Sequence, residues 1–212
     1  MKQDEKAYQA KNKIMAAAMA LFAQKGYEQT TMQDIVETSK MSKGAIYHYF
    51  TSKQEILRSL TDSEKNIFSE YLKELAGRSD LTARQKIGEI TSYLFGKEAL
   101  SALTKQQWAD KVPYALLDTL RNSLSVLAPC LEEILRQGND NNEFCCAYPR
   151  ELAGVLVLLV DLWLDPAIVA CSYEELCGKV DFLILLADKF NTPIFSEDAT
   201  QQIKEGLRHY YE

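Results

Sequence analysis

Apolar residues recur along this chain at spacings of three and four positions, which is the pattern of amphipathic helices. Signals for strands, in which polar and apolar residues alternate, are weak throughout. From about residue 6, one helical face collects Ile14, Ala17, Ala18, Leu21 and Phe22. Gly26 follows this segment, at a position where helices often end in a left-handed conformation. The pattern predicts an all-α fold.

Two short helices follow the first. Thr31 and Asp34 form an aspartate variant of the capping box, before a helix that extends to about residue 38. Ser42 then precedes a third helix over residues 43–50. The connection between these two helices is tight, which is typical of a helix-turn-helix unit.

The remaining helices begin at capping boxes or prolines. Ser52 with Glu55, and Ser172 with Glu175, form full capping boxes. A polar segment, "RQGNDNNEF", is predicted to be a loop, and Pro166 is expected to kink or end the apolar helix before it. The predicted helices cover 52–76, a segment from 82, 113–137, a segment from 149, 172–190 and a last segment from 196.

The third helix has two different faces when it is turned by about 100° per residue. Its apolar face consists of Ala45, Ile46, Tyr49 and Phe50. Its polar face consists of Lys43, Gly44, Tyr47 and His48. One cation, two hydrogen-bonding rings and one bare backbone position suit a DNA groove. The alternative is an ordinary solvated face, because short amphipathic helices with exposed lysine and tyrosine are common.

Charge is distributed unevenly along the chain. The net charge is −6, but residues 1–60 hold nine Lys and Arg against six Asp and Glu. The acidic excess therefore lies in the rest of the chain. A basic head on an acidic body indicates that only the head meets a polyanion.

Residues 10–57 carry the resemblance to a known family. The segments "IMAAAMALFAQKGYEQTTMQDI" and "SKGAIYHYFTSKQEIL" resemble the TetR family of bacterial transcriptional regulators. The resemblance covers about a quarter of the chain. It implies a three-helix DNA-binding head over 1–54 and a larger helical regulatory body over 55–212. It also implies a homodimer and a small-molecule effector that binds in the body.

The resemblance further implies which residues contact double-stranded DNA. These are Thr31, Ser42, Lys43, Gly44, Tyr47, His48, Tyr49 and Lys53. Tyr49 is expected to serve both purposes, because periodicity directs it to the core and the family pattern directs it to DNA. A helix start at 51–53 also offers a second anion site.

Two apolar helices in the body predict how the chain dimerises. Segments over about 150–171 and 173–190 are apolar on more than one side, so they need more than one packing partner. Paired across a two-fold axis, they would form a four-helix interface and present two reading helices to a palindromic operator. The alternative is that both helices are simply buried in the core of one chain.

Aromatic and acidic residues of the body provide a hypothesis for a ligand site. The residues expected to line it are Tyr93, Trp108, Tyr114, Asp161 and Trp163. An ionised carboxylate inside an apolar helix needs a partner, so Asp161 or Asp165 is expected to meet a cationic ligand or a basic residue at the dimer interface. The simpler interpretation of each aromatic residue is core packing.

Other features of the sequence limit the classes of function. The five cysteines are scattered, neither histidine lies beside them in the sequence, and no metal site or cofactor is predicted. Cys145 and Cys146 are adjacent, and a redox role for them stays open. The charged N-terminus and the nine-residue apolar run at 152–160 predict no signal peptide and no membrane span, so a cytoplasmic location is expected.

The predicted function is that of a DNA-binding transcriptional regulator, a repressor that a small molecule releases from its operator. No motif of an enzyme is present, and the prediction is therefore that the chain is not an enzyme. The alternative class is a helical ligand-binding protein or enzyme without DNA binding. Repression and activation are not separable from the sequence.

Overall fold

The computed structural model describes residues 2–96, 113–166, 168–208 and 211. The described part is built from α-helices with no strand, which confirms the predicted all-α fold. The elements are α1 Lys2–Lys25, α2 Met32–Ser39, α3 Lys43–Tyr49, α4 Lys53–Gly77, α5 Ala83–Phe95, α6 Pro113–Asn122, α7 Ala128–Asp140, α8 Pro149–Leu158, α9 Tyr173–Lys189 and α10 Glu197–Arg208, with π-helical segments Ser123–Leu127 and Leu159–Trp163.

The predicted helix boundaries in the head are confirmed by their caps. Gly26 has a φ of +83°, the left-handed conformation that ends α1. Thr31 and Asp34 form the reciprocal capping box of α2. The box predicted at Ser52 is only half formed, because the Glu55 carboxylate accepts hydrogen bonds from the Thr51 amide (2.7 Å) and hydroxyl (2.8 Å) instead of from the Ser52 amide.

The helices of the body depart from the prediction at two π-helical segments. The predicted helix over 113–137 is interrupted by Ser123–Leu127 and continues to Asp140, into the segment predicted to be a loop. There the Asn139 side chain bonds the backbone N–H (2.7 Å) and C=O (2.8 Å) of Cys146, which ties the polar segment to the helix end. The predicted helix over 150–171 was too long, because it ends at Trp163, shortly before Pro166.

The buried apolar residues of the described chain form two separate hydrophobic cores, and α4 contributes to both. Ile46, Phe50, Ile56 and Leu60 belong to the first core, with residues of α1 and α2. Ala76, near the other end of α4, belongs to the second core, with residues of α5 and α7 to α10. The division at residue 54 therefore stays a prediction, since α4 is a rigid element shared by head and body.

The end of α4 is fixed in the body by a buried lysine. Lys86 of α5 is 1% exposed, and its ammonium donates to the Ala76 carbonyl (2.9 Å) and to the Gln137 side chain. The Gln137 amide donates to the same carbonyl (2.9 Å). Burial lowers the pKa of Lys86. These bonds connect α4, α5 and α7 at one point.

Candidate nucleic-acid interface and ligand cavity

The short helix α3 is held by the core on one side and open on the other. The Ser42 hydroxyl accepts the Ala45 amide (3.2 Å) and so caps the helix start. Ile46 and Phe50 are buried, at 0% and 2% exposure. The exposed face consists of Lys43, Gly44, Tyr47 and His48, as the periodicity predicts.

The exposed face of α3 carries its cation and rings close together. The Lys43 ammonium lies 5.8 Å from the centroid of the Tyr47 ring, and the His48 ring meets the Tyr49 ring edge-on at 4.9 Å. Tyr49 is half-buried and packs against the first core. It lies between the apolar face and the exposed face of α3, in agreement with the two purposes expected for it.

The turn between α2 and α3 sets the direction in which α3 leaves the core. Lys40 adopts a left-handed conformation, with φ 54°, and ends α2. Met41 is half-buried against the first core, and Ser42 begins α3 directly afterwards. A connection this short forces α3 to leave α2 at an angle, as in helix-turn-helix units.

Thr31 is exposed at the start of α2, and its hydroxyl is engaged in the α2 cap. It donates to an Asp34 oxygen (2.7 Å) and accepts the Asp34 amide (3.1 Å). Lys25 of α1 forms an ion pair with the same carboxylate (2.7 Å). The hydrogen bonds from Lys25 and Thr31 hold the pKa of Asp34 well below its usual range. The carboxylate therefore stays ionised and fixes the start of α2 on α1.

Lys53 has a different environment from the one expected for a phosphate contact. Its ammonium donates to three carbonyl oxygens after α1, those of Tyr27 (2.8 Å), Glu28 (3.1 Å) and Thr30 (3.0 Å). It also lies 4.4 Å from the Tyr27 ring centroid. All three N–H donors of the ammonium are used, so Lys53 joins the start of α4 to the end of α1.

We expect Lys53→Met to weaken the fold of the head and to leave its salt response unchanged. Three carbonyls lose a charged donor, which should lower the free energy of unfolding by roughly 1–2 kcal/mol. A lysine that neutralises a phosphate would instead reduce the slope of log affinity against log salt by about 0.9. Thermal unfolding and DNA titrations at several salt concentrations separate the two roles, with Lys43→Met as the matched lysine. An unchanged stability with a smaller salt slope would support the phosphate contact that the sequence predicts for Lys53.

An apolar cavity of about 100 Å³ lies in the body between α4, α5, α8, α9 and the adjoining segments. Its described lining is apolar except for Thr91 and Asp161. Asp161 lies on the π-helical segment after α8, and the Ser123 hydroxyl of the other π-helical segment hydrogen-bonds to its carboxylate. Burial raises the pKa of Asp161 to about 6. The charge of Asp165 contributes to the rise, whereas the Ser123 hydrogen bond and the charge of Lys65 oppose it.

The residues predicted to line a ligand site lie in different places. Asp161 lines the cavity. Tyr93 stacks on Phe68, a lining residue, with ring centroids 5.0 Å apart. Trp163 packs edge-on against Phe182 (5.6 Å) instead of lining the cavity. Trp108 lies outside the described residues, and Tyr114 is described only by the backbone of α6.

The sequence did not single out most of the cavity wall. Phe68 and Leu72 of α4, with Leu127, Leu131 and Phe195, read as ordinary core residues in the sequence. Helical periodicity cannot separate a packed core face from a face that borders a cavity. Asp161 was the only signal, because a carboxylate inside an apolar helix is unusual.

Helices α8 and α9 are only partly covered by their own chain. One side of each is buried in the second core, through Leu152 and Leu156 of α8 and Val180 and Leu183 of α9. On the other side, three large apolar side chains are exposed: Val155 (45%), Phe182 (49%) and Leu185 (51%). We call these three residues the apolar face.

Other potential sites are absent from the part of the chain that the structure describes. In that part, no three His, Cys, Asp or Glu side chains form a group that could hold a metal ion. All five cysteines are free thiols, with Cys145 exposed and Cys146 buried. No described helix is both long enough and apolar enough to cross a membrane.

Comparisons with known proteins show which family the head resembles. The model of the family described as "Bacterial regulatory proteins, tetR family" matches residues 14–60. The icaADBC negative transcriptional regulator IcaR of Staphylococcus epidermidis is 36% identical over 62 residues, 29% of this chain and 34% of IcaR. The HTH-type transcriptional regulator QacR of Staphylococcus aureus is 24% identical over 187 residues, 85% of this chain and 94% of QacR.

A solved structure extends the similarity to the body. A TetR-family transcriptional regulator from Pectobacterium atrosepticum has a TM-score of 0.65 and 16% identity, covering 88% of this chain and 96% of its own. At that identity the comparison concerns the fold alone. The first curated relatives are matched over only 16% to 34% of their own length, so their similarity is that of the head. The head therefore matches the TetR family of bacterial regulatory proteins, and the fold of the chain is similar to that of a solved TetR-family regulator.

Proposed function

We propose that the protein is a sequence-specific DNA-binding transcriptional regulator. The observation that carries the proposal is the exposed face of α3, where Lys43, Gly44, Tyr47 and His48 project from a helix that is fixed by its core and caps. Lys43 serves a phosphate or a guanine edge, Tyr47 a phosphate, and His48 a base edge. Ser42 and Tyr49 flank this face, and together with Thr31 at the start of α2 they are further proposed DNA contacts. The proposed head spans 1–54 and the proposed body spans 55–212.

The proposed regulator is a homodimer that binds a palindromic operator. The three residues of the apolar face support this, because apolar side chains that are exposed on one chain can be buried against a second copy. A two-fold interface formed by α8 and α9 from both chains gives a four-helix contact. Its symmetry presents two copies of α3 to half-sites about one helical turn apart, or a multiple of it.

The proposed mode of action is repression that is relieved by a small molecule. The name of IcaR as a negative regulator supports repression. The cavity supports an effector site, because Phe68 and Leu72 of α4 line it and α4 carries the head at its other end. An occupant that favours another position of α4 would change the separation of the two heads and weaken operator binding.

We expect Lys43→Ala to weaken DNA binding and to flatten its salt dependence. Each lost phosphate contact removes about 0.9 from the slope of log affinity against log salt, so a dimer loses about twice that. The experiment titrates the purified protein with its own upstream promoter DNA by fluorescence anisotropy at several salt concentrations. Lys73→Ala is the matched control, since Lys73 is an exposed lysine of α4 that forms an ion pair with Glu70.

The same titration separates the regulator from the alternative function. A ligand-binding protein without DNA binding is favoured only by the cavity, and it would bind no duplex that contains an inverted repeat, even at low salt. The regulator proposal also fails if Lys43→Ala and Lys73→Ala have equal effects. The relatives reported above are named as transcriptional regulators, and none of them is named as an enzyme.

A further inference from the structure

Among the described lining residues, Asp161 is the one charged group that the cavity presents to an occupant. The part of its wall that the structure describes is apolar except at Thr91 and Asp161. The Thr91 hydroxyl donates to the Ile87 carbonyl one turn earlier (2.9 Å), so its proton is already used. The Thr91 oxygen can still accept a hydrogen bond, but Asp161 is the one charged residue of the described lining, and its carboxylate therefore has the larger influence on which molecules the cavity accepts.

Asp161 is only partly satisfied by its own chain. The Ser123 hydroxyl meets Oδ2, but it is also within hydrogen-bond distance of the Thr119 carbonyl (2.8 Å), and one hydroxyl has one proton to donate. No hydrogen-bond donor among the described residues reaches Oδ1. Within the described ranges no Lys or Arg lies at ion-pair distance from Asp161, and Lys65, which acts on it through space, lies 3.9 Å from Asp62.

A second polar group near Ser123 also lacks a partner. Thr119 and Ser123 are four residues apart, so they share one face of the helix. The Thr119 hydroxyl is buried and has no hydrogen-bond partner in the described part of the chain. Thr119 is not among the described lining residues, so the Asp161 carboxylate is the group that the cavity offers to an incoming group with several N–H donors.

We propose that the cavity binds a small organic cation, with one ammonium group held by Asp161 and an apolar body of about five carbon atoms in the remaining space. The inference rests on the proposed function only in naming this cation as the effector. The apolar body follows from the walls and from the cavity volume of about 100 Å³.

The chemistry of the site distinguishes this class of ligand from others. A carboxylic acid would bring a second negative charge to Asp161, and a sugar-like molecule would leave hydroxyls unpaired against apolar walls. A neutral apolar molecule would leave the carboxylate buried without a counterion. Burial raises the pKa of Asp161 to about 6, which shows how unfavourable that charge is without a cation, and a bound ammonium would lower the pKa again.

Three probes with nearly the same skeleton test the proposal: isoamylamine, isoamyl alcohol and isovalerate. Calorimetric titration of the full-length protein without DNA, at about pH 8, should give an affinity for the amine at least tenfold above that for the alcohol, and no binding of the acid. At about pH 5 the preference for the amine should shrink, because a proton then competes for Asp161. This pH arm uses the wild-type protein and does not depend on any variant folding.

Two variants test whether the Asp161 carboxylate causes the preference for the amine over the alcohol. Asp161→Asn should remove the preference for the amine, whereas Asp165→Asn, on a carboxylate outside the cavity lining, should keep it. Equal binding of amine and alcohol, binding of the acid, or no binding of the amine would each overturn the proposal. Adding isoamylamine to the protein–promoter complex then tests the effector role separately, so failed release with intact binding counts against the proposed mode of action and not against the site.

Discussion

Leu185→Asp should convert the proposed dimer to a monomer and lower its affinity for the proposed palindromic operator at least about 100-fold. Leu185 is 51% exposed on α9 and lies on the same side of the helix as Phe182, so the substitution costs little within one chain. In the proposed dimer it introduces a charge at the apolar face of both chains at once, because a two-fold interface uses the same surface twice. A monomer binds one half-site, and it therefore loses the additional affinity that a dimer gains by binding two half-sites at once.

Sedimentation velocity and operator titration check this result together. Ile67→Asp is the matched control, since Ile67 is also an exposed apolar residue (54%) but belongs to α4 and not to α8 or α9. The control should remain a dimer with unchanged affinity. A Leu185→Asp protein that remains dimeric would show that the dimer uses another surface.

The head is the part of the fold that the sequence predicted best, and the reason is that its signals are local. A capping box such as Thr31 with Asp34 lies within four residues, and the left-handed stop at Gly26 needs only one. The faces of α3 follow from periodicity in the same way, so the exposure of Lys43, Tyr47 and His48 was readable before the structure. Half of the Ser52 box was lost because Thr51, one residue earlier, reaches the Glu55 carboxylate.

Features that depend on distant contacts were not predictable from local patterns. Lys53 looks like any lysine at a helix start, and only the fold brings it to three carbonyls 23 to 26 residues earlier in the chain. The two π-helical segments have no signal in the sequence, but their residues Ser123 and Asp161 meet across 38 positions. The cavity was not predictable either, because the apolar residues that line it have the same helical periodicity as residues that pack in the core.

Asp161→Asn should stabilise the protein at neutral and alkaline pH and have almost no effect near pH 4. The ordinary pKa of an aspartate is 3.8, and burial in the folded protein raises the pKa of Asp161 to about 6. Between these values the folded state holds a proton that the unfolded state has lost, so the free energy of unfolding falls as pH rises through this window. Two pKa units correspond to about 3 kcal/mol, which the wild-type protein has lost above about pH 7.

Asparagine removes this titration and keeps an oxygen that can accept the Ser123 hydroxyl. Denaturant unfolding of both proteins at one concentration should therefore give curves that coincide near pH 4 and separate to about 3 kcal/mol by about pH 8. Ser123→Ala is the informative second variant, because the Ser123 hydrogen bond lowers the pKa of Asp161 and its loss should extend the window to higher pH. A difference between wild type and Asp161→Asn that is constant over the whole pH range would mean that Asp161 does not titrate there, and that its charge is already balanced inside the folded protein.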